Sequence, residues 1–135
     1  MLRLFLFTLV IILSFTACGD DTPDCTTETI VGTYSGSTDC DDTGTSGVDL
    51  PEGATTYEVE SVGGQNYKIT DQEGNETLAV ITGCDITVPE VEIEFFGIMI
   101  KTSGFGKIDG DQLDLTLNTE VDGLSFSCRA ATTKQ

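Results

Sequence analysis

The chain has 135 residues, 23 of them acidic against 6 basic, and no histidine, giving a formal charge of −17. Such a surface repels nucleic acid and anionic head groups, and the missing histidine excludes Ser-His-Asp and Cys-His catalytic arrangements. With no CxxC pair either, a zinc site is not expected.

At the start, Arg3 precedes an apolar run from Leu4 to about Phe15, followed by Thr16-Ala17-Cys18. A short positive region, an apolar region of roughly 7–15 residues and small residues at its end describe an export signal. The run falls short of the roughly 20 apolar residues that a spanning helix needs. An ordinary signal-peptidase site wants small residues at −3 and −1, and Phe15 fits the −3 position poorly. The stretch resembles a bacterial lipobox, in which an aliphatic residue and two small ones precede an invariant cysteine. Thr16, Ala17 and Cys18 match that pattern, and Phe15 departs from its usual leucine. The resemblance implies that residues 1–17 are a lipoprotein signal peptide and that Cys18 carries the acyl (palmitate) anchor as the mature N-terminus. It also implies that lipid holds the protein on the outer membrane. Each buried CH₂ contributes about 0.8 kcal/mol, so several acyl chains suffice as an anchor. The competing reading is a plain secretory signal with Cys18 free or disulfide-bonded.

Gly19-Asp20-Asp21 comes next. An acidic pair behind the acylated cysteine resembles the surface-export signal of Bacteroidetes-type lipoproteins. Against this, "GDDTPDCTT" is Asp/Thr/Pro-rich and reads equally as a solvated linker, so surface display and retention on the inner leaflet both stay open. Residues 18–27 are taken as the linker and 28–135 as one domain with one core. Setting Cys18 aside leaves Cys25, Cys40, Cys84 and Cys128. An even number in a small exported domain suggests two disulfides, with three connectivities possible.

From there on the period is two. "TYEVES" alternates Tyr57 and Val59 with glutamates, and "NYKIT" sets Tyr67 and Ile69 against Lys68. In "ETLAVIT" both faces are apolar, Leu78 and Val80 on one and Ala79 and Ile81 on the other. "VEIEF" sets Val91, Ile93 and Phe95 against Glu92 and Glu94. "QLDLTLN" sets Leu113, Leu115 and Leu117 against Asp114 and Thr116, and "LSFSC" sets Leu124, Phe126 and Cys128 against serines. These are half-buried strands, and no stretch after residue 18 carries a helical period. Turn signals fall at Gly63-Gly64, Glu73-Gly74-Asn75, Gly83, Asp109-Gly110-Asp111 and Asp122-Gly123. "KIDGDQL" reads as a tight hairpin with Asp-Gly supplying the positive-φ positions. Pro89 ends a strand or sits on an edge, and the apolar phase switches there from Ile86 and Val88 to Val91 and Ile93. Residues 41–55 form the one long loop.

About eight short strands at this spacing predict an all-β fold, either a small antiparallel up-and-down barrel or a two-sheet β-sandwich. Particular stretches favour the barrel. "IVGTYSG" resembles the first strand of lipocalin-like or calycin-like domains, with Tyr34 where larger families often place Trp. "SGFGKIDGDQLDLTL" and "CRAATTKQ" resemble the G-x-G hairpin and closing strand of small Bacteroidetes outer-membrane lipoproteins of that type. In that group a cysteine ending the first strand pairs with one in the last, which implies Cys40–Cys128 and leaves Cys25–Cys84. Parity agrees, with Tyr34 and Cys40 on one face and Phe126 and Cys128 on one face. The rival, Cys25–Cys128 with Cys40–Cys84, follows if the last strand ends early. Each loop closed this way would contribute on the order of 3–4 kcal/mol.

Glu58/Glu60 and Glu92/Glu94 lie on solvent faces by parity, where a carboxyl is not desolvated enough for a raised catalytic pKa. Gly104 and Gly106 flank Phe105 and mark a bulge or close packing. In "DCDDTGTSGVD", Asp39, Asp41, Asp42 and Asp49 are weak candidates for Ca²⁺ ligands, since no Glu stands at the twelfth position of an EF-hand-like loop beginning at Asp39. That stretch reads better as an acidic loop at the barrel mouth. Tyr34, Phe95, Phe96, Met99 and Phe126 either line a ligand cavity or, the favoured reading, fill the barrel. No cofactor and no catalytic residue is expected. The sequence therefore points to a non-enzymatic, membrane-anchored envelope lipoprotein that binds a small apolar ligand or peptide. The alternative is an interaction subunit that docks onto an outer-membrane protein assembly.

Overall fold

The computed structural model describes residues 24–42 and 52–135, Asp42 by its backbone alone. The signal segment 1–17, Cys18, Asp20, Asp21 and the loop stretch 43–51 with Asp49 lie outside the described residues.

A four-residue helix, α1 (Thr27–Ile30), opens the described chain. Eight strands follow: β1 (Gly32–Asp42), β2 (Gly53–Gly63), β3 (Asn66–Asp71), β4 (Glu76–Thr82), β5 (Asp85–Phe95), β6 (Ile98–Asp109), β7 (Gln112–Val121) and β8 (Leu124–Lys134). Each pairs antiparallel with its sequence neighbour, and β1 pairs with β8, closing an up-and-down barrel. The sandwich alternative is thereby set aside, since a sandwich would leave β1 and β8 on open edges. α1, at four residues, is too short to show a helical period, in keeping with the lack of one in the sequence after residue 18. Strands also take up both ends of the expected 41–55 loop, β1 running to Asp42 and β2 starting at Gly53.

Two-residue loops join β2 to β3 and β4 to β5, and every later pair as well. Phe96 and Gly97 have φ of 51° and 79°, and Asp122 and Gly123 have 51° and 83°. Both central residues at positive φ is the type I′ signature, whose twist suits a hairpin. In "KIDGDQL" the positive φ falls on Gly110 alone, with Asp109 ending β6 and Asp111 in the loop.

The barrel has a closed and an open end. Inward-facing Tyr34, Val59, Tyr67, Ile69, Ile81, Ile86, Ile108, Leu113 and Leu115 pack its lower half, with Ile30 of α1 sealing the bottom, and all are at most 3% exposed. The ambiguity of "ETLAVIT" is resolved, with Ala79 and Ile81 inside and Leu78 66% exposed outside. The Tyr34 hydroxyl donates to the Ile30 carbonyl at 2.7 Å, and Lys134 Nζ donates to the Thr29 carbonyl at 2.7 Å. These bonds satisfy carbonyls at the end of α1 that have no partner within the helix. Glycines let neighbouring strands approach on the inner face. A Cβ on Gly36 would collide with the Ala131 carbonyl of β8, and one on Gly104 would lie 2.6 Å from the Thr116 carbonyl of β7. Close packing is thus what Gly104 provides.

Cys25 is joined to Cys84 and Cys40 to Cys128. The first bond ties the segment before α1 to the β4–β5 turn at the closed end. The second lies across the β1–β8 closure, where Cys40 stands directly opposite Cys128 because β8 continues to Lys134.

Candidate functional site at the open end of the barrel

The strands reach the open end at unequal heights. β3 and β4 have 6 and 7 residues, whereas β5 and β6 have 11 and 12. The hairpins β5–β6 and β7–β8 therefore rise above β3 and β4 as a tall wall. A bulge in β5 between Val88 and Val91 adds one residue opposite Ser103, with Pro89 within it. This is the physical basis of the phase switch at Pro89, because the extra residue returns Val91, Ile93 and Phe95 to the inner parity. They stand opposite Thr102, Ile100 and Ile98, and Ile100 stands opposite Val121 of β7. An apolar sheet face thus continues upward from the barrel interior.

That face is not covered. Val91, Ile93 and Phe95 are 52%, 57% and 60% exposed, and Phe96 at the hairpin tip is 91% exposed. The expectation that Phe95, Phe96 and Met99 fill the barrel is corrected, because they sit above its rim, where β3 and β4 have already ended. Met99 lies on the outer face of the wall, and Phe126 is half-buried beside the mouth. Tyr34 fills the barrel at the opposite, closed end. Of the five aromatic and sulfur side chains singled out from the sequence, the structure brings Phe95 and Phe96 together, edge to face at 4.5 Å.

Below the wall lies a cavity of about 280 Å³. Tyr57, Ile69 and Leu115 form its floor, and Leu117 and the Cys40–Cys128 bridge contribute apolar surface above them. Thr38, Thr55, Thr77 and Thr119 line its walls, each offering a methyl and a hydroxyl, and Glu52, Asp71 and Glu73 stand at the rim. Sequence reading passed over these threonines. Their signal was present, since Thr38 shares the parity of Cys40, and Thr55 that of Tyr57. A second hollow, about 300 Å³ and more open, lies on the outer side of the wall among Glu90, Lys101, Ser103, Asn118 and Glu120. Phe126 borders it as well.

Asp71 organises the rim. Its carboxylate accepts from the Glu73 and Asn75 backbone amides at 2.9 Å each and from Asn75 Nδ2 at 2.8 Å. Partial burial pushes its pKa up, but these bonds outweigh burial and hold the carboxyl below its ordinary value. At the closed end, burial first and the charge of Asp111 second raise the Tyr34 phenol.

Glu58, Glu60, Glu92 and Glu94 lie on the solvent faces assigned to them, and two of the four, Glu60 and Glu92, pair with cations. Glu60 and Glu76 flank Lys68 at 2.8 and 3.2 Å, and Glu92 meets Lys101 at 2.8 Å, raising both lysine pKa values. Asp39 and Asp41 are exposed on the outer parity of β1, with Asp39 opposite Arg129. Asp42's side chain and Asp49 lie outside the described residues, and no metal-holding group of three acidic, cysteine or histidine residues occurs among the described ones.

The molecule thus belongs to the closed up-and-down barrels with one sealed end and one open mouth. No protein-family model matches the chain, and no curated protein or solved structure is significantly similar to it.

Proposed function

We propose that this protein is a lipid-anchored, non-enzymatic binding module of the bacterial envelope, built on a lipocalin-like barrel, whose mouth takes a small apolar molecule or the apolar side chain of a peptide. The threonine-lined cavity of about 280 Å³ at the mouth carries this reading. It stands just below the roughly 300–1,000 Å³ range of small-molecule sites, which suits a compact ligand better than a long lipid chain. An apolar floor, hydroxyls above it and carboxylates at the rim favour a ligand with an apolar body and a donor-bearing or cationic end.

The anchor reading rests on Arg3, the apolar run and Thr16-Ala17-Cys18, and two disulfides suit an oxidising compartment. The described chain starts at Asp24, next to the Cys25–Cys84 bond at the closed end. An acylated Cys18 would tether that end within roughly 20 Å of the membrane and leave the mouth facing away from it.

Binding is tested with the neutral probe N-phenyl-1-naphthylamine. Its fluorescence should rise with the purified protein, and Thr119→Phe, which fills the mouth from β7, should weaken binding at least tenfold. Equal binding by both proteins would reject the cavity as the site. For the anchor, Cys18→Ala should move the protein into soluble fractions and abolish acyl labelling, and unchanged membrane fractionation would reject it.

A further inference from the structure

The barrel is closed in topology but not along its whole height. β4 and β5 pair only over Val80–Thr82 and Asp85–Thr87. Above that, Glu76–Ala79 of β4 pairs with β3, and Val91–Phe95 of β5 pairs with β6. Among the described residues nothing pairs with the facing sides of these two stretches. A barrel ordinarily abolishes strand edges, and here a slot between two edges remains.

The backbone groups aimed into the slot can be assigned. Phe95 and Ile98 flank a two-residue turn and so form its closing hydrogen-bonded pair. Val91, Ile93 and Phe95 then bond to β6, and the N–H and C=O of Glu92 and Glu94 point to the open side. An independent bond agrees, because the carbonyl of Met99, opposite Glu94, accepts from the Asp122 amide of the β7–β8 turn at 3.3 Å and so faces away from β5.

We propose that the upper edge of β5 is a second binding site, distinct from the mouth cavity, which captures an extended segment of another protein as an added β-strand. Backbone pairing with Glu92 and Glu94 would supply affinity, and alternate side chains would supply specificity. On the inner face the added strand lies beside Val91, Ile93 and Phe95, which are apolar and exposed. On the outer face it lies beside Glu92 and Glu94, of which only Glu92 has a cation in reach among the described residues. The complementary segment therefore alternates apolar residues with lysine or arginine. A second copy of this chain is a poor occupant, because pairing two β5 edges sets glutamate beside glutamate, and like charges across a ladder repel.

The probe is a synthetic eight-residue peptide alternating lysine and valine, with a control N-methylated on alternate residues so that one edge has no donors. With the full protein, the peptide should slow hydrogen exchange of the Glu92 and Glu94 amides at least tenfold, and the N-methylated control should not. Glu92→Pro removes one donor from the open edge and none from the β6 ladder. It should weaken peptide binding at least tenfold while leaving naphthylamine binding at the mouth unchanged, so failure here is separable from failure of the cavity. Glu92→Lys with Glu94→Lys should reverse the preference toward a glutamate–valine peptide. Glu92 and Glu94 amides that exchange as fast with the peptide present as without it, or equal binding of the N-methylated peptide, would overturn the proposal. So would concentration-dependent dimers lost in Glu92→Pro, which would make the edge a self-association site. Binding to phosphatidylcholine vesicles that depends on Phe96 would make the tall wall a lipid surface and overturn it equally.

Discussion

The two ends of the barrel use the same alternation of residues to opposite effect. At the closed end, inward positions of all eight strands converge, α1 covers them, and Tyr34 is 0% exposed. At the open end, the inward positions of β5 to β8 continue past the point where β3 and β4 stop, and Ile93 is 57% exposed on the same parity. Apolar periodicity therefore reports that a strand has two different faces. Whether the apolar face becomes core or binding surface depends on the length of the strands across from it. The closed end has its hydrogen bonds and packing complete. The open end keeps unfilled volume, bare apolar surface and a strand edge, the features a binding site requires and a core avoids.

The largest contrast is expected from truncating one aromatic at each end. Tyr34→Ala should cost about 3–5 kcal/mol, as for large buried aromatics generally. Phe95→Ala should stay within about 0.5 kcal/mol, as for exposed positions. Urea unfolding of the two variants measures both. A Phe95→Ala cost of several kcal/mol would mean that the tall wall is covered in the free protein, and the contrast between the ends would collapse.

The disulfides come next. Removing either pair as a double serine variant should cost roughly 2–5 kcal/mol. The consequences should differ by location. Losing Cys40–Cys128 should speed hydrogen exchange in upper β1 and β8, beside the mouth. Losing Cys25–Cys84 should instead free the segment before α1 and make it accessible to protease at the closed end. The same exchange pattern from both variants would show that the ends are not independent.

Smaller effects should separate the ends by pH. The Tyr34 phenol is raised, so folding is favoured by its protonated form. That contribution is intact below the unfolded value of about 10 and is lost as pH rises through the higher folded value. Tyr34→Phe should remove this alkaline loss while costing about 1 kcal/mol at neutral pH through the missing bond to Ile30. At the mouth, the Asp71 carboxyl is lowered, so its contribution is intact above the unfolded value of about 3.9 and is lost as pH falls through the lower folded value. Asp71→Ala should cost about 1 kcal/mol at neutral pH, given partial exposure, and should flatten the acid limb. Chemical denaturation across pH checks both. An acid limb unaffected by Asp71→Ala would show that the rim turn holds without its carboxylate.

Local sequence determined a good deal. Period-two alternation and short turn signals require antiparallel strands, because side chains on a pleated strand alternate by geometry and a two-residue turn reverses the chain. Eight such strands, the switch at Pro89 and the solvent positions of Glu58, Glu60, Glu92 and Glu94 were legible in this way. The absence of histidine restricted the chemistry before any fold was known. The disulfide partners were not legible in local pattern alone, which left two pairings standing until the register set Cys40 opposite Cys128.

Other features belong to the tertiary structure. Both faces of "ETLAVIT" are apolar, and only closure of the barrel puts Ala79 and Ile81 inside and Leu78 outside. "VEIEF" alternates as cleanly as "TYEVES", yet Val59 is 0% exposed and Ile93 57%. The threonine lining of the cavity comes from four different strands, and the slot between β4 and β5 opens where the two strands part and each stays paired with its other neighbour. The physical reason is the same in each case. Alternation is a property of one strand, whereas burial, cavity volume and an unpaired edge are properties of what stands across from it.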